Sequence, residues 1–583
     1  MRDPVPAGKR HDFSMRLSFL PEQAARRHRL PADQWALRGL VLLLLALFLL
    51  FLALPLAAML RKSFEDRAGS FVGLANYVAY FSTPALSVSL WNSLFVAAVT
   101  TAIVLPIALV FAFALTRSRM PGRAMFRAVV MIPVLAPSLL PAIALVYLFG
   151  NQGMARWVLF GHSIYGPIGI VVAQVFFNLP QAVMLLVATM SMADQRLYES
   201  AAALKTPRYR VWLTITWPEL RFGLASCALV TFVKVITDFG SAIVIGGGYN
   251  VLATDIYKQV VGQLDFGMGA VIGVVLMIPA IIAFLGNQTI QRRQQAVLTA
   301  RSVPYVAPPS VARDAALFAF CALVALAMLV ILGVAAWGSL VTYWPYNLSL
   351  SLRNYDFVNF DPSGWQPFAN AIKMACMTSA IGTVVVFGGA YALEKVKAFS
   401  TWASLTATLA MMPLAVPGLV LGLSYVIFFN ARENPLEPLL GTLFLMSIGT
   451  LVHYYTVCHL TAVAALKQLD KEFEAASESL KVSLFRTLFR VTAPICMPAI
   501  LEIAGFLFLA AMASVSVLIF IYAPDTRVAS VAVVNINDAG FTAAAAAMAT
   551  CIVLCCALFK AAHAVLVHVV SRRSDAWRRR DED

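Results

Sequence analysis

At 583 residues, 60% hydrophobic and only 13% charged, with a mean hydropathy of +0.80, the chain has the composition of an integral membrane protein, not of a soluble globular one. The formal charge of +15 does not point to nucleic acid, because the basic residues gather in short loops and tails between apolar runs. The eight cysteines all fall in or beside apolar segments, which leaves no extramembrane disulfide framework and no zinc spacing.

In chain order, residues 1–38 form a basic tail containing Lys9, Arg10, Arg16, Arg26, Arg27, Arg29 and Arg38. Residues 39–60 carry no charge and are long enough to cross a hydrocarbon core of roughly 30 Å. A cleaved signal peptide is not expected there, because 38 residues precede the run and it is too long for the apolar region of such a signal. Further apolar runs predict spans near 93–115, 128–149, 167–190, 222–245, 268–287, 315–338, 371–393, 402–428, 439–464, 496–521 and 541–569, about twelve in all. Arg117, Arg119, Arg123 and Arg127 mark the second loop, Arg292, Arg293 and Arg301 the central linker, and Arg572, Arg573, Arg578, Arg579 and Arg580 the tail 570–583. With an even number of spans these segments share one side, the cytoplasm, together with both termini. The basic-poor loops between them fall outside.

The two halves repeat one another. Met131-Ile132-Pro133 and Pro137 resemble Met411-Met412-Pro413 and Pro417, and Asn92 before the second span resembles Asn370 before the eighth. The expected fold is an all-α integral membrane protein of about twelve transmembrane helices in two tandem six-helix units, 39–288 and 314–569, joined by a cytoplasmic linker, 289–313. Parallel duplication with equal span number relates such units by a pseudo-two-fold axis along the membrane normal. Pro133, Pro137, Pro413 and Pro417 are expected to kink the third and ninth spans.

Each half carries a polar, basic island on the cytoplasmic side, at 195–220 and 466–495. The first reads Glu199-Ser200-Ala201-Ala202-Ala203-Leu204-Lys205, then Ile215-Thr216-Trp217-Pro218. The second reads Glu474-Ala475-Ala476, then Leu480-Lys481, then Val491-Thr492-Ala493-Pro494. Lys205 to Pro218 and Lys481 to Pro494 are both 13 positions. Each island predicts a short helix, a turn and a second helix that its proline returns to the bilayer. Ala201, Ala202, Ala475 and Ala476 allow close approach by another protein. An ordinary amphipathic interfacial helix is the bland reading of one island, but it does not explain two at matching places.

Lys234 and Asp238 lie four apart in the fifth span and are expected to share a helix face. Either would cost roughly 2.5–3.5 kcal/mol unpaired at mid-bilayer, so they line a pathway or form a structural pair. Ser514 and Ser516 fall at the matching stretch of the eleventh span. His453 and His459 are expected to make interhelical hydrogen bonds. The chain has no Gly-x-x-x-x-Gly-Lys-Ser/Thr stretch, hence no phosphate cradle of that kind, no constellation of catalytic residues and no metal-ligand spacing. It reads as a non-enzyme that needs no cofactor of its own.

The islands resemble the EAA loops of permease subunits of binding-protein-dependent ABC importers, whose pattern is Glu-Ala-Ala, three residues, Gly, nine residues, Ile, one residue, Leu-Pro. The resemblance implies that Glu199, Ala201, Ala202, Lys205 and Pro218, and Glu474, Ala475, Ala476, Lys481 and Pro494, belong to two coupling helices that dock on two copies of a cytoplasmic ATP-binding subunit. Ala201 and Ala476 are expected on the docking faces. Lys205 and Lys481 stand where that family has Gly, and Trp217 and Ala493 where it has Leu. Glu474 sits seven residues before Lys481, whereas Glu199 sits six before Lys205. The resemblance also implies a periplasmic substrate-binding protein as partner and a bacterial inner membrane as location, with no nucleic acid involved. The fused form is similar to 2-aminoethylphosphonate permeases, through Thr237–Gly240 with Gly246–Gln259 and through Tyr522–Gly540, and next to iron(III)-type permeases. The expected solute is 2-aminoethylphosphonate or a related phosphonate, with iron(III) the alternative. An ion-coupled secondary transporter is the rival class, and it leaves the twin islands unexplained.

Overall fold

The computed structural model describes residues 32–579, apart from 193, 296–304, 397–398, 432 and 470. Of the residues singled out above, Lys9 to Arg29, Arg301 and Arg580 lie outside the described set. Among the described residues the chain is helical almost throughout, with a single two-stranded antiparallel hairpin of Val341–Tyr343 and Asn347–Leu350.

Eight continuous helices are long and apolar enough to cross a membrane, and three bent helix pairs bring the number to 11 among the described residues. The shortfall against the expected twelve is the fifth segment. Its helix, Trp217–Ile236, holds Glu219, Arg221 and Lys234, and it ends at Thr237. The chain resumes as the short helix Gly240–Ile245.

Prolines explain most of the departures from straight helices. The third span is Arg123–Leu135 plus Leu139–Phe149, bent by 101°, and the ninth is Ser400–Ala415 plus Gly418–Phe429, bent by 113°. In each, Pro133 or Pro413 opens a 3-10 turn, and Pro137 or Pro417 precedes the second limb. The eleventh span, Leu484–Ile495 plus Met497–Ala513, bends by 76°. Pro498 follows Pro494 by four places there, so its ring meets the carbonyl that an unbroken helix would present. The first half has Phe222 at the matching position and runs on without a break.

A second proline device occurs three times. Pro55, Pro218 and Pro494 each stand two residues after a five-residue π-helical segment, Leu49–Ala53, Trp212–Thr216 and Leu488–Thr492. A proline cannot donate to the carbonyl four residues back, and widening the helix accommodates the loss. In the first span that orphaned carbonyl is Phe51, and the buried Tyr425 hydroxyl of the ninth span donates to it at 2.6 Å. Phe51 also stacks on Phe429 at 6.0 Å, and Phe48 meets Tyr455 edge-on at 4.8 Å.

These contacts cross between halves. The first span, Ala32–Lys62, packs on the eighth, Gln366–Lys395, and on both limbs of the ninth. The seventh, Val311–Leu340, packs reciprocally on the second, Pro84–Arg117, and on the third. The main hydrophobic core therefore runs through both halves, and a smaller cluster around Phe111, Phe126, Leu186 and Met328 joins the seventh span to the first half.

Candidate coupling face and central polar cleft

The two islands fold alike, and their helices keep one spacing. Gln195–Ala203 matches Lys471–Ser479, and Arg208–Val211 matches Leu484–Thr487, each 276 residues apart. Asp194 caps the first helix by accepting from the Arg196 amide at 3.1 Å. The helices end in a left-handed turn, with Thr206 N–H donating to Ala201 O at 2.9 Å and Val482 N–H to Ser477 O at 3.0 Å. Lys205 and Lys481, 276 positions apart, both adopt φ +52° there. A side chain in that region is strained, which is the physical reason a Gly suits this place in the EAA pattern.

Constant spacing corrects the alignment of the motif. Ala475, not Glu474, stands opposite Glu199, and Ser477 stands opposite Ala201. Ala201 does not face outward as expected. It is 8% exposed, on the face that turns back to this chain, because Thr206 closes the turn over it. Glu199, Ala202, Lys205, Ala476 and Lys481 are exposed, Pro494 is exposed and Pro218 half-buried. Glu474 and Ala475 lie on the helix Lys471–Ser479, but their side chains are outside the described set. Glu199 accepts from the Gln195 amide at 3.1 Å.

Sequence reading missed the apolar members of this face. Leu197, Leu204 and Leu213 are 48%, 79% and 59% exposed, and Phe473, Leu480 and Phe489 are 42%, 76% and 72% exposed. They pair off at the same spacing of 276. A search for apolar residues recurring at the spacing of the two lysines would have found them.

A polar cluster with two small clefts lies within the first half. The helix Pro167–Ser191 supplies Gln174, Asn178 and Gln181 on successive turns. Asn178 Nδ2 donates to Gln174 Oε1 at 2.8 Å, and Gln174 Nε2 donates to Asp238 Oδ2 at 2.6 Å. The Ser241 amide donates to the same carboxylate oxygen at 3.0 Å, at the start of the short helix that follows the break. Lys234 Nζ donates to Gln181 Oε1 at 2.5 Å and lies 5.5 Å from the centre of the Phe177 ring. Lys234 and Asp238 thus form no ion pair with one another. The helix ends at Ile236, between them, and the i,i+4 geometry is lost. Two small clefts open here, one lined by Asn178, Gln181, Thr231 and Lys234, the other by Ser93, Gln174 and Asp238.

In the second half, Ser530 Oγ donates to Ser514 O at 2.5 Å. His453 and His459 each bury Nδ1 without a hydrogen-bond partner among the described residues, contrary to expectation. Among the described residues no group of three His, Cys, Asp or Glu could hold a metal ion.

First and seventh spans that pack on opposite halves, and twin short-helix loops at one spacing, describe a two-fold helical membrane protein. Residues 385–572 match the family described as the binding-protein-dependent transport system inner membrane component. The chain is 27% identical to the ferric transport system permease protein FbpB 1 of Haemophilus influenzae over 85% of this chain and 79% of that one. It is 26% identical to the ferric transport system permease protein FbpB of Actinobacillus pleuropneumoniae, covering 88% and 75%. The thiamine transport system permease protein ThiP of Brucella abortus is 27% identical over 38% of this chain and 41% of that one. Residues 385–572 thus carry the inner membrane component of such transport systems, and most of the chain resembles fused permeases of ABC importers, in keeping with its many membrane spans. The secondary-transporter reading falls with that match.

Proposed function

We propose that this permease moves iron(III) from periplasm to cytoplasm, powered by ATP that two copies of a cytoplasmic subunit hydrolyse. The observation that carries the solute is the likeness to two ferric permeases over most of both chains. The Asp238 carboxylate, set with Ser93 and Gln174 in a mainly apolar lining, is an oxygen ligand of the kind a hard cation takes. The 2-aminoethylphosphonate reading, drawn from Gly246–Gln259 and Asp525–Gly540, finds no support among these relatives. The Lys234 ammonium beside the cleft is the one feature that favours an anionic solute.

The proposed units are 39–288 and 314–569, with both termini and the linker 289–313 in the cytoplasm. The coupling loops 195–220 and 466–495 dock on the ATPase subunits, and their motion opens the cleft alternately to either side. The matched geometry of the loops supports two identical partners. The test is uptake in cells lacking this chain. Loss of labelled iron(III) uptake with normal phosphonate uptake is expected. The reverse result replaces iron with the phosphonate, and no change in either overturns both.

A further inference from the structure

The approach to each half's first span rests on the coupling loop of the other half. Tyr305, in the segment leading to the seventh span, lies 3.9 Å by its ring centre from the Arg117 guanidinium. Tyr198, on the first coupling helix, lies 5.0 Å from the same cation, and the two rings meet edge-on at 4.8 Å. Arg117 ends the second span and is 4% exposed. Its Nη2 donates to Met190 O at 3.2 Å, while Nε and Nη1 have no hydrogen-bond partner among the described residues. Two rings therefore stand against this buried cation, whose charge is also felt by Glu219, the carboxylate to which Tyr198 Oη donates at 3.5 Å. The next residues continue the strap. Val306 N–H donates to Gln195 Oε1 at 3.0 Å, through the same amide that holds Glu199, and Ala307 O accepts from Arg119 Nε at 2.7 Å.

The other half repeats the arrangement with different chemistry. Asp33, at the start of the first span, accepts from the Leu484 amide at 2.7 Å, where the helix after the second coupling turn begins. Gln34 donates to Lys395 O, at the end of the eighth span, at 3.4 Å. The carboxylate faces a helix start, where partial positive charge gathers.

We propose that Tyr305 and Asp33 are positioning residues that tie each coupling loop to the first span of the opposite half, so that a stroke on one loop moves helices of both halves. This rests on the coupling-loop reading. The exchange of first spans already carries each half's leading helix across the molecule, and the straps join that helix to the loop it reaches.

The test uses the full complex with its ATPase and binding protein in lipid vesicles. It measures solute moved per ATP hydrolysed, with whichever of labelled iron(III) and 2-aminoethylphosphonate the unaltered complex moves. Tyr305→Ala should lower that ratio roughly tenfold, the size of a desolvated cation–π contact, with assembled complex unchanged. Tyr305→Phe, which keeps the ring, should restore it. Asp33→Ala should lower it and Asp33→Asn, which keeps an acceptor oxygen, should not. A Leu204→Cys crosslink to the ATPase, made in the same background, separates the two claims. If the crosslink forms and the ratio stays normal in both alanine variants, the straps do not position the loops. If the variants merely reduce the amount of complex, the role is structural and the proposal fails. If the crosslink does not form in the unaltered complex, the coupling-loop reading falls and takes the straps with it.

Discussion

The two short-helix loops and the two stretches around the polar cleft recur in the halves at one spacing, yet they differ in opposite degrees. The loops keep helix limits, turn and even the strained φ of Lys205 and Lys481 in step at a spacing of 276. At that same spacing the cleft pairs Gln174 with Thr450, Asn178 with Tyr454, Gln181 with Val457, Lys234 with Ala510 and Asp238 with Ser514. No charge on the first wall has a counterpart on the second. Two loops that dock on the same partner, as proposed, would be held to one geometry. If the cleft serves one solute, one wall of polar contacts suffices, and the other is free to become apolar and aromatic.

The largest effect should come from breaking the matched face. Leu204→Asp with Leu480→Asp places a carboxylate in each proposed contact, where an unpaired buried charge costs roughly 3–5 kcal/mol. Both sites are exposed in this chain alone, so insertion should be normal while the ATPase fails to co-purify. Ala201→Asp should behave differently, since Ala201 faces inward and the charge would disrupt the loop itself. Normal co-purification of the double variant would remove the proposed contact.

The unmatched wall is tested by separating its two charges. Asp238→Asn should lower transport and thermal stability by about 1–3 kcal/mol, because it weakens the bonds from Gln174 and Ser241. Adding Lys234→Met should not rescue it, since Lys234 is held by Gln181 instead. The coupling energy between the two sites in a double-mutant cycle should stay below about 1 kcal/mol. Stronger coupling than that would restore the ion pair that the sequence spacing suggested.

That pair also marks where sequence reading stops. Apolar runs locate spans because the bilayer imposes their length, and prolines locate the bends because a missing amide cannot be hidden. Spacing made Lys234 and Asp238 neighbours on a helix, but whether the helix continues between them depends on packing with the Gln174 helix. The motif letters likewise matched Glu474 to Glu199, while the turn at Lys205 and Lys481 sets a register one residue away. Tyr305 on Arg117 joins residues 188 apart, with no local pattern to announce it.

The segment between the fifth and sixth helices offers a third contrast. Asp255, 3% exposed on the short helix Leu252–Tyr257, stands where the second half has Val531. Burial raises its carboxyl to about 6, against the hydrogen bond of Ser89 and the charge of Lys258, and Oδ2 has no hydrogen-bond partner among the described residues. A carboxyl whose folded pKa lies above its unfolded one binds more protons when folded, so this group's contribution falls as pH rises from about 4 to about 6 and stays low above that. Asp255→Asn should therefore raise the melting temperature at pH ~7.5, by the equivalent of about 1–3 kcal/mol, and by little at pH ~4. An equal gain at both pH values would mean that ionisation is not the cause.

The smallest effect tests the equivalence of the loops most directly. Lys205 and Lys481 share φ +52°, a conformation that costs a non-glycine residue roughly 1–2 kcal/mol, partly offset in glycine by its greater freedom when unfolded. Lys205→Gly and Lys481→Gly should each stabilise the permease by up to about 1 kcal/mol, and the two gains should be equal and additive, because the turns are far apart in sequence and alike in geometry. Thermal unfolding of the two single variants and the double variant reads this out. Unequal gains would show that one turn is held by contacts the other lacks, and the straps on the two loops differ in just this way, one a guanidinium over a tyrosine ring and the other a carboxylate on a helix start. Repeating the comparison with Tyr305→Ala in place then decides whether the inequality comes from the strap or from the turn, since only the first source disappears with the ring.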